Sequence, residues 1–327
     1  MALAATGALA VAGLTGAAAA DSDTPAARPA GVDPGRLVSA APAATAAAGQ
    51  APAAVAKAAV DYWTPSRMRS AIPVDGAGQA GTAAGTSDVS TKATVIYHKP
   101  HRTVGKVFFT GYEAGSWANY VCSASTVPGS KRNVVLTAGH CVHGINGTKS
   151  TWHRNWVYVP AYESGKAPYG KWAAERFWAW SRYTQRTTSQ GSLDYDYAFV
   201  NVWRTTSGRG VSSYTGNNGL LWNKQTSWRT LAWGYPAQSP YTGAKPYTCS
   251  TVTKRDTTYY TGRQLVIPCK FVGGASGGPW LWRSSAGNWY AYGVNSTADR
   301  KLRTWSPFFN GYVKSLWDYA NKYAPQR

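Results

Sequence analysis

Beyond about residue 100 the apolar positions fall into short runs, each soon broken by Gly, Pro, Asn or Ser. The clearest are Lys106–Thr110, Asn133–Thr137, Tyr197–Trp203, Thr230–Trp233, Gln264–Ile267, Pro279–Trp282 and Trp289–Tyr292. Val, Ile, Phe, Tyr and Trp dominate them, and such residues suit a pleated, half-buried surface. Many short strands separated by turn signals predict an all-β sandwich or barrel. Near the end of the chain the period changes. Tyr312, Val313, Leu316, Trp317 and Ala320 recur on one helical face, and Ser306-Pro307 offers a cap with a first-turn proline. This predicts a single terminal helix over about 307–323.

The first hundred residues follow neither pattern. Residues 1–20 are almost wholly Ala, Leu, Val and Gly and close on Ala18-Ala19-Ala20, like a secretory signal and its cleavage site. Residues 21–100 are rich in Ala, Pro, Gly and Ser, with too few large apolar side chains to build a core. A largely disordered pro-region, or else a linker, is expected there. The exception is Ala58–Arg69, which carries Val60, Tyr62, Trp63 and Met68 and could form a short docking element. The folded domain is expected over 101–327, as one half over about 104–210 and a second over about 225–305, followed by the helix.

Composition adds a strong charge. Of 327 residues, 34 are Lys or Arg and 14 Asp or Glu, a formal net charge of +20. Such a surplus favours anionic surroundings, including cell-wall polymers. The cations are scattered, however, with no dense Lys/Arg run and no nucleic-acid motif, which argues against a specific nucleic-acid partner. Four cysteines form two local couples in sequence, Cys122 with Cys141 and Cys249 with Cys269. Three pairings are formally possible, and spacing does not choose between them. In an exported β protein, disulfides are expected rather than metal ligation. His140, Cys141 and His143 lie together, but no second Cys/His cluster completes a metal site, so no metal or other cofactor is expected.

The candidate chemistry centres on Gly273-Gly274-Ala275-Ser276-Gly277-Gly278-Pro279. Glycines on both sides bend the backbone and leave one hydroxyl open to close approach. A serine nucleophile needs a general base, and the base an orienting acid. The chain has five histidines, His98, His101, His140, His143 and His153, and all precede Ser276. This excludes the α/β-hydrolase order, in which the histidine follows the serine. Thr137-Ala138-Gly139-His140-Cys141 ends an apolar run, and Asp196 heads another in Asp196-Tyr197-Ala198-Phe199-Val200, with Asp194 two residues further away.

These three segments, in this order, resemble the histidine, aspartate and serine motifs of the chymotrypsin-like serine peptidases. The resemblance spans about 104–327. It implies two perpendicular six-stranded β-barrels with a cleft between them, a His140–Asp196–Ser276 triad, and an oxyanion hole from the N–H groups of Gly274 and Ser276. Donors of that kind typically lower a barrier by roughly 3–4 kcal/mol each. Ala275 stands where trypsin and its animal relatives carry an aspartate that pairs with a newly cut N-terminus, so that activation switch is missing. Leu231–Pro236 and Gly273–Ser276 are instead similar to the secreted bacterial glutamyl-endopeptidase group.

The resemblance thus implies a secreted, monomeric serine endopeptidase, made as a zymogen and acting on proteins or peptides. Its specificity pocket is expected to be walled by 269–274 and 292–297, including Lys270, Phe271, Val294 and Asn295. Neither the histidine of glutamate-specific pockets nor the acid of trypsin-like ones occurs there. A non-catalytic polymer-binding protein on the same fold is the alternative, prompted by Trp152, Trp156, Trp172, Trp178 and Trp180 together with the positive charge.

Overall fold

Alternating apolar strands close on themselves in the N-terminal half of the domain. The computed structural model describes residues 33–43, 51–74, 93–113, 116–146, 149–185, 190–256, 263–299 and 303–324. The signal-like stretch 1–20 and the Gly/Ala-rich run 76–81 lie outside the described residues. The N-terminal segment contributes β1 (Leu37–Ala40), helices α1 (Pro52–Tyr62) and α2 (Pro65–Ser70), and the short β2 (Ile72–Pro73). After β3 (Ile96–Tyr97) come β4 (Val104–Glu113), β5 (Ser116–Thr126), β6 (Val134–Thr137), a hairpin of β7 (His143–Asn146) and β8 (Lys149–Trp152), β9 (Arg154–Pro160), β10 (Trp172–Trp180) and β11 (Ala198–Val202).

Strands pair in the order β10-β11-β6-β5-β4-β9, and β9 pairs back with β10, so six strands form a closed barrel. Closure removes the exposed edges that an open sheet would carry. Phe108, Val121, Leu136, Trp156, Phe177 and Val200 are fully buried in its core. Each such side chain contributes roughly 1.5–3 kcal/mol of apolar transfer.

The second half contains β12 (Gly219–Leu220), β13 (Arg229–Gly234), β14 (Tyr247–Val252), β15 (Lys254–Asp256), β16 (Gln264–Ile267), β17 (Pro279–Arg283), β18 (Trp289–Val294), β19 (Thr297–Ala298) and β20 (Thr304–Pro307). Its strands run in the orders β12-β18-β17-β13-β14-β3 and β15-β16-β20-β19, with β14 leading through Thr253 into β15. Trp280, Ile267, Ala232 and the Cys249–Cys269 disulfide fill a separate core. The couples read from sequence are the disulfides formed, Cys122–Cys141 and Cys249–Cys269.

Two differences from the sequence reading have plain causes. The terminal helix, which follows the one-turn helices α3 (Ser181–Thr184) and α4 (Ser212–Thr215), is α5 (Gly311–Lys322) and starts later than 307. Asn310 caps it by accepting from Tyr312 N–H at 2.9 Å. Ser306 and Pro307 belong to β20 opposite Leu265 and Gln264, and Ser306 Oγ takes the Val294 N–H at 2.9 Å. A partner strand and a buried acceptor role outweigh a local capping preference. Ala58–Arg69 is the second case, extending into two helices with Trp63, at the junction between them, wholly buried against the barrel.

Candidate active site

Register brings the first two side chains together. β6 and β11 run antiparallel with Thr137 opposite Ala198, so residues after Thr137 and residues before Ala198 share one barrel end. His140 sits there in a single 3-10 turn, Gly139–Cys141, and Asp196 just before β11. Gly139 allows their approach, because a Cβ on it would lie 2.8 Å from the Tyr183 ring and 3.1 Å from Asp196 Oδ1. Asp196 Oδ2 is 2.9 Å and Oδ1 3.1 Å from His140 Nδ1, and Oδ1 also accepts the His140 backbone N–H at 2.9 Å.

Asp196 and His140 are 1% and 4% exposed. Burial by itself raises the Asp196 pKa. The facing imidazole, a 2.6 Å bond from Ser296 Oγ and the His140 N–H outweigh it and hold the carboxyl below its ordinary value. Asp194 goes elsewhere, into an ion pair with Arg263 at 2.7 Å. The other histidines have different surroundings. His153 stacks on Phe109 and contacts His140 O through Nε2, His143 contacts Ser150, and His98 and His101 lie against Trp233.

Ser276 reaches the same barrel end through the loop between β16 and β17. Ser123 N–H, on β5, donates to Ser276 O at 2.7 Å. Ser123 Oγ accepts Tyr235 N–H and donates to Gly274 O, each at 2.9 Å. The same Ser123 carbonyl accepts Thr137 Oγ1, three residues before His140. Gly277 has φ +78°, and a Cβ there would lie 2.2 Å from Thr137 Oγ1. The serine loop is therefore clamped onto the strand that leads into His140. Ser276 itself is partly exposed.

Within the loop the amides divide into two groups. Gly273, Ala275, Gly277 and Gly278 N–H donate to Gln238, Val272, Asn295 and Ala275 respectively. Gly274 and Ser276 N–H have no protein acceptor among the described residues. Gly274 takes φ +93°, a conformation that favours glycine. These two free donors flank the one hydroxyl. His140 Nε2 is likewise buried without a hydrogen-bond partner among the described residues, so no bond to Ser276 is formed. In a resting site such bonds are often long and tighten only with substrate bound.

Other side chains fall as follows. Lys270 is exposed, while Phe271, Val294 and Asn295 are buried. Asn295 binds inward, donating to Trp233 O at 2.7 Å and Ala275 O at 2.9 Å and accepting from Trp280 Nε1. Cys122, His140 and Cys141 group their ligand atoms within 4.8 Å, but the disulfide occupies both sulfurs and leaves one ligand, too few to hold an ion. Trp156, Trp172, Trp178 and Trp180 are buried barrel side chains, and Trp152 stacks on Phe177. Sequence reasoning did not assign roles to Ser123 and Ser296. Neither lies in a local motif, and each meets the site through side-chain contacts 100 or more residues away in sequence.

Residues 95–316 match the family described as Trypsin. The chain belongs to the trypsin family. Membership makes it a serine endopeptidase, a hydrolase of proteins or peptides, with the chymotrypsin fold. It is similar to protease Anisep from Arthrobacter nicotinovorans at 32% identity and a TM-score of 0.61, over 70% of this chain and all of that one. A thermostable serine protease from an extremophilic microorganism is 30% identical at a TM-score of 0.60, covering 68% of this chain and 98% of that one. A Glu endopeptidase structure shares the fold at 15% identity, with a TM-score of 0.53 over 72% of this chain and 99% of that one. No curated protein matches the chain.

Proposed function

We propose that this family member cleaves peptide bonds through an acyl-enzyme, with His140, Asp196 and Ser276 as its triad. Ser276 Oγ attacks the scissile carbonyl carbon while His140 Nε2 takes the hydroxyl proton. Asp196 stays ionised, holds Nδ1–H and stabilises the imidazolium. The Gly274 and Ser276 N–H groups receive the carbonyl oxygen as it becomes an oxyanion. His140 then gives its proton to the departing amine. Water, deprotonated by the same Nε2, attacks the acyl carbon and releases Ser276.

The observation that carries this reading is the commitment of Nδ1 to Asp196, which leaves buried Nε2 open for a serine proton. A fluorophosphonate probe tests it. The wild-type chain should be labelled on Ser276, and Ser276→Ala should lose both labelling and peptide cleavage. Labelling that survived in Ser276→Ala would sink the assignment.

The enzyme acts outside the cell, as a monomer made with a removable N-terminal region. Two buried disulfides suit an oxidising compartment. No helix among the described residues is long and apolar enough to cross a membrane. The substrate side chain enters between 269–274 and 292–297, with Lys270 at the rim and Phe271, Val294 and Asn295 behind it. Cleavage profiling with a peptide library reads that preference directly.

A further inference from the structure

Lys106 is a buried cation that the triad chemistry does not use. It lies on β4, 3% exposed, directly opposite Ser123 on β5. No carboxylate pairs with it among the described residues. Its Nζ donates to Gly243 O at 2.8 Å, 5.0 Å from the ring centroid of Phe108 and 5.1 Å from that of Tyr162. Two aromatic rings and one carbonyl offset only part of the cost of taking an ammonium out of water. Burial accordingly pushes its pKa down to about 7. An apolar side chain of similar length would fill the space without that cost. What the amine adds is a fixed grip on one loop.

That loop follows β13, and Gly243 closes it. The Gly243 N–H donates to Pro236 O at 2.8 Å, and a Cβ on Gly243 would lie 2.8 Å from both Ala237 Cβ and Lys106 Nζ. Gly243 is thus pressed between the lysine and Ala237. The start of the loop in turn holds Gly273. Ala237 N–H donates to Gly273 O at 2.7 Å, and Gly273 N–H donates to Gln238 Oε1 at 3.1 Å. Both backbone polar groups of Gly273 are therefore taken by the loop that Lys106 grips.

Gly274 comes next in the chain, and its N–H flanks Ser276. A Cβ on it would lie 2.9 Å from Ala237 Cβ, so it too rests on this loop. Its carbonyl is held from the other side by Ser123 Oγ at 2.9 Å. Two residues paired across β4 and β5 thus brace one peptide of the serine loop, Ser123 directly and Lys106 through 236–243.

We propose that Lys106 is a positioning residue for catalysis, which fixes the loop 236–243 and through Gly273 aims the Gly274 N–H at the developing oxyanion. It touches no substrate. Its loss is therefore felt where negative charge develops in the transition state and not in substrate binding. The inference rests on the triad and oxyanion-hole reading above, and the test separates the two.

Lys106→Met, Gln238→Ala and the double variant are compared with wild type, each normalised by end-point fluorophosphonate titration of Ser276. Losing an oxyanion donor outright typically costs about 10²–10³ in kcat, and misaiming one costs less. Lys106→Met should lower kcat on a peptide substrate about 10-fold and change KM less than about 2-fold. The rate of fluorophosphonate labelling should fall in step, because the phosphonyl oxygen enters the same site. Gln238→Ala, an exposed change that frees Gly273 N–H, should show the same split more weakly. The double variant should lie within about 3-fold of Lys106→Met alone, since both act through one loop. Lys106→Gln, which keeps a donor without the charge, should fall less than Lys106→Met, and its kcat and KM decide the matter if Lys106→Met does not fold. A kcat per titrated site equal to wild type, a rise in KM alone, or multiplicative losses in the double variant would overturn the role of Lys106. Wild-type protein that takes no label would overturn the triad reading and this inference with it.

Discussion

Asp196 grips His140 at two points, its ring Nδ1 and its backbone N–H, so one carboxylate fixes both the tilt and the position of the imidazole. Asp196→Asn should keep the fold yet lower kcat by about 10⁴, because an amide supports the wrong tautomer. Asp194→Asn, which weakens the pair with Arg263 away from His140, should change kcat/KM less than about 3-fold. Steady-state kinetics on the two variants, with circular dichroism to verify folding, check this. The reverse ranking would move the acid to Asp194.

Ser296 completes the carboxylate's surroundings with its 2.6 Å bond to Oδ2. Removing that donor in Ser296→Ala should let the Asp196 pKa rise. A carboxyl held below its usual value contributes stability that is present above the unfolded-state pKa and lost as pH falls through the folded one. Ser296→Ala should therefore be less stable by about 1–2 kcal/mol at pH 7. The deficit should shrink as the pH is lowered below the carboxylate range. Denaturant melts at pH 7 and pH 3 measure both.

The legible parts of this molecule were those whose signal is local. Glycine around Ser276, the Gly139-His140-Cys141 turn and the apolar run behind Asp196 each announce a backbone shape within a few residues. Each of the seven apolar runs read from the sequence lies in a strand to within a residue at either end. Long-range partners leave no such trace. Ser123 joins Tyr235, Gly274 and Ser276 only because β5 passes the serine loop. Asn295 belongs to the expected pocket wall in sequence, but its amide turns inward to brace Ala275. The helix start was misplaced because Ser306 found a partner in a distant strand, and the N-terminal helices were underestimated because Ala-rich chain needs one buried tryptophan to dock.

Gly277 tests the clamp between the serine loop and the barrel. Its φ of +78° is strained for any side chain, and a Cβ would meet Thr137 Oγ1 at 2.2 Å and Ser123 O at 2.4 Å. Both are held by their own hydrogen bond at 2.9 Å, so neither can easily yield. Gly277→Ala should cost about 2–4 kcal/mol and depress kcat as the loop shifts. A variant with wild-type melting and turnover would show that the two elements are not rigidly joined. Gly165→Ala, at φ +89° with open space around it, is the control for backbone strain alone.

Glu175 gives the last prediction. It lies on β10 at 4% exposure, and its carboxyl oxygens have no hydrogen-bond partner among the described residues. Burial pushes its pKa up to about 7, opposed weakly by Arg204 and Arg176. The folded state therefore holds a proton that the unfolded state has released between about pH 4.5 and 7. Where the folded state binds more protons, stability falls as pH rises, here by up to about 1.4 kcal/mol per pH unit. Above pH 7 the cost is constant. Glu175→Gln removes the titration, so the variant should match wild type near pH 4.5 and exceed it by about 1–3 kcal/mol at pH 8. Denaturant midpoints across that range decide the matter: parallel pH profiles for the two proteins would mean that Glu175 ionises normally in the fold.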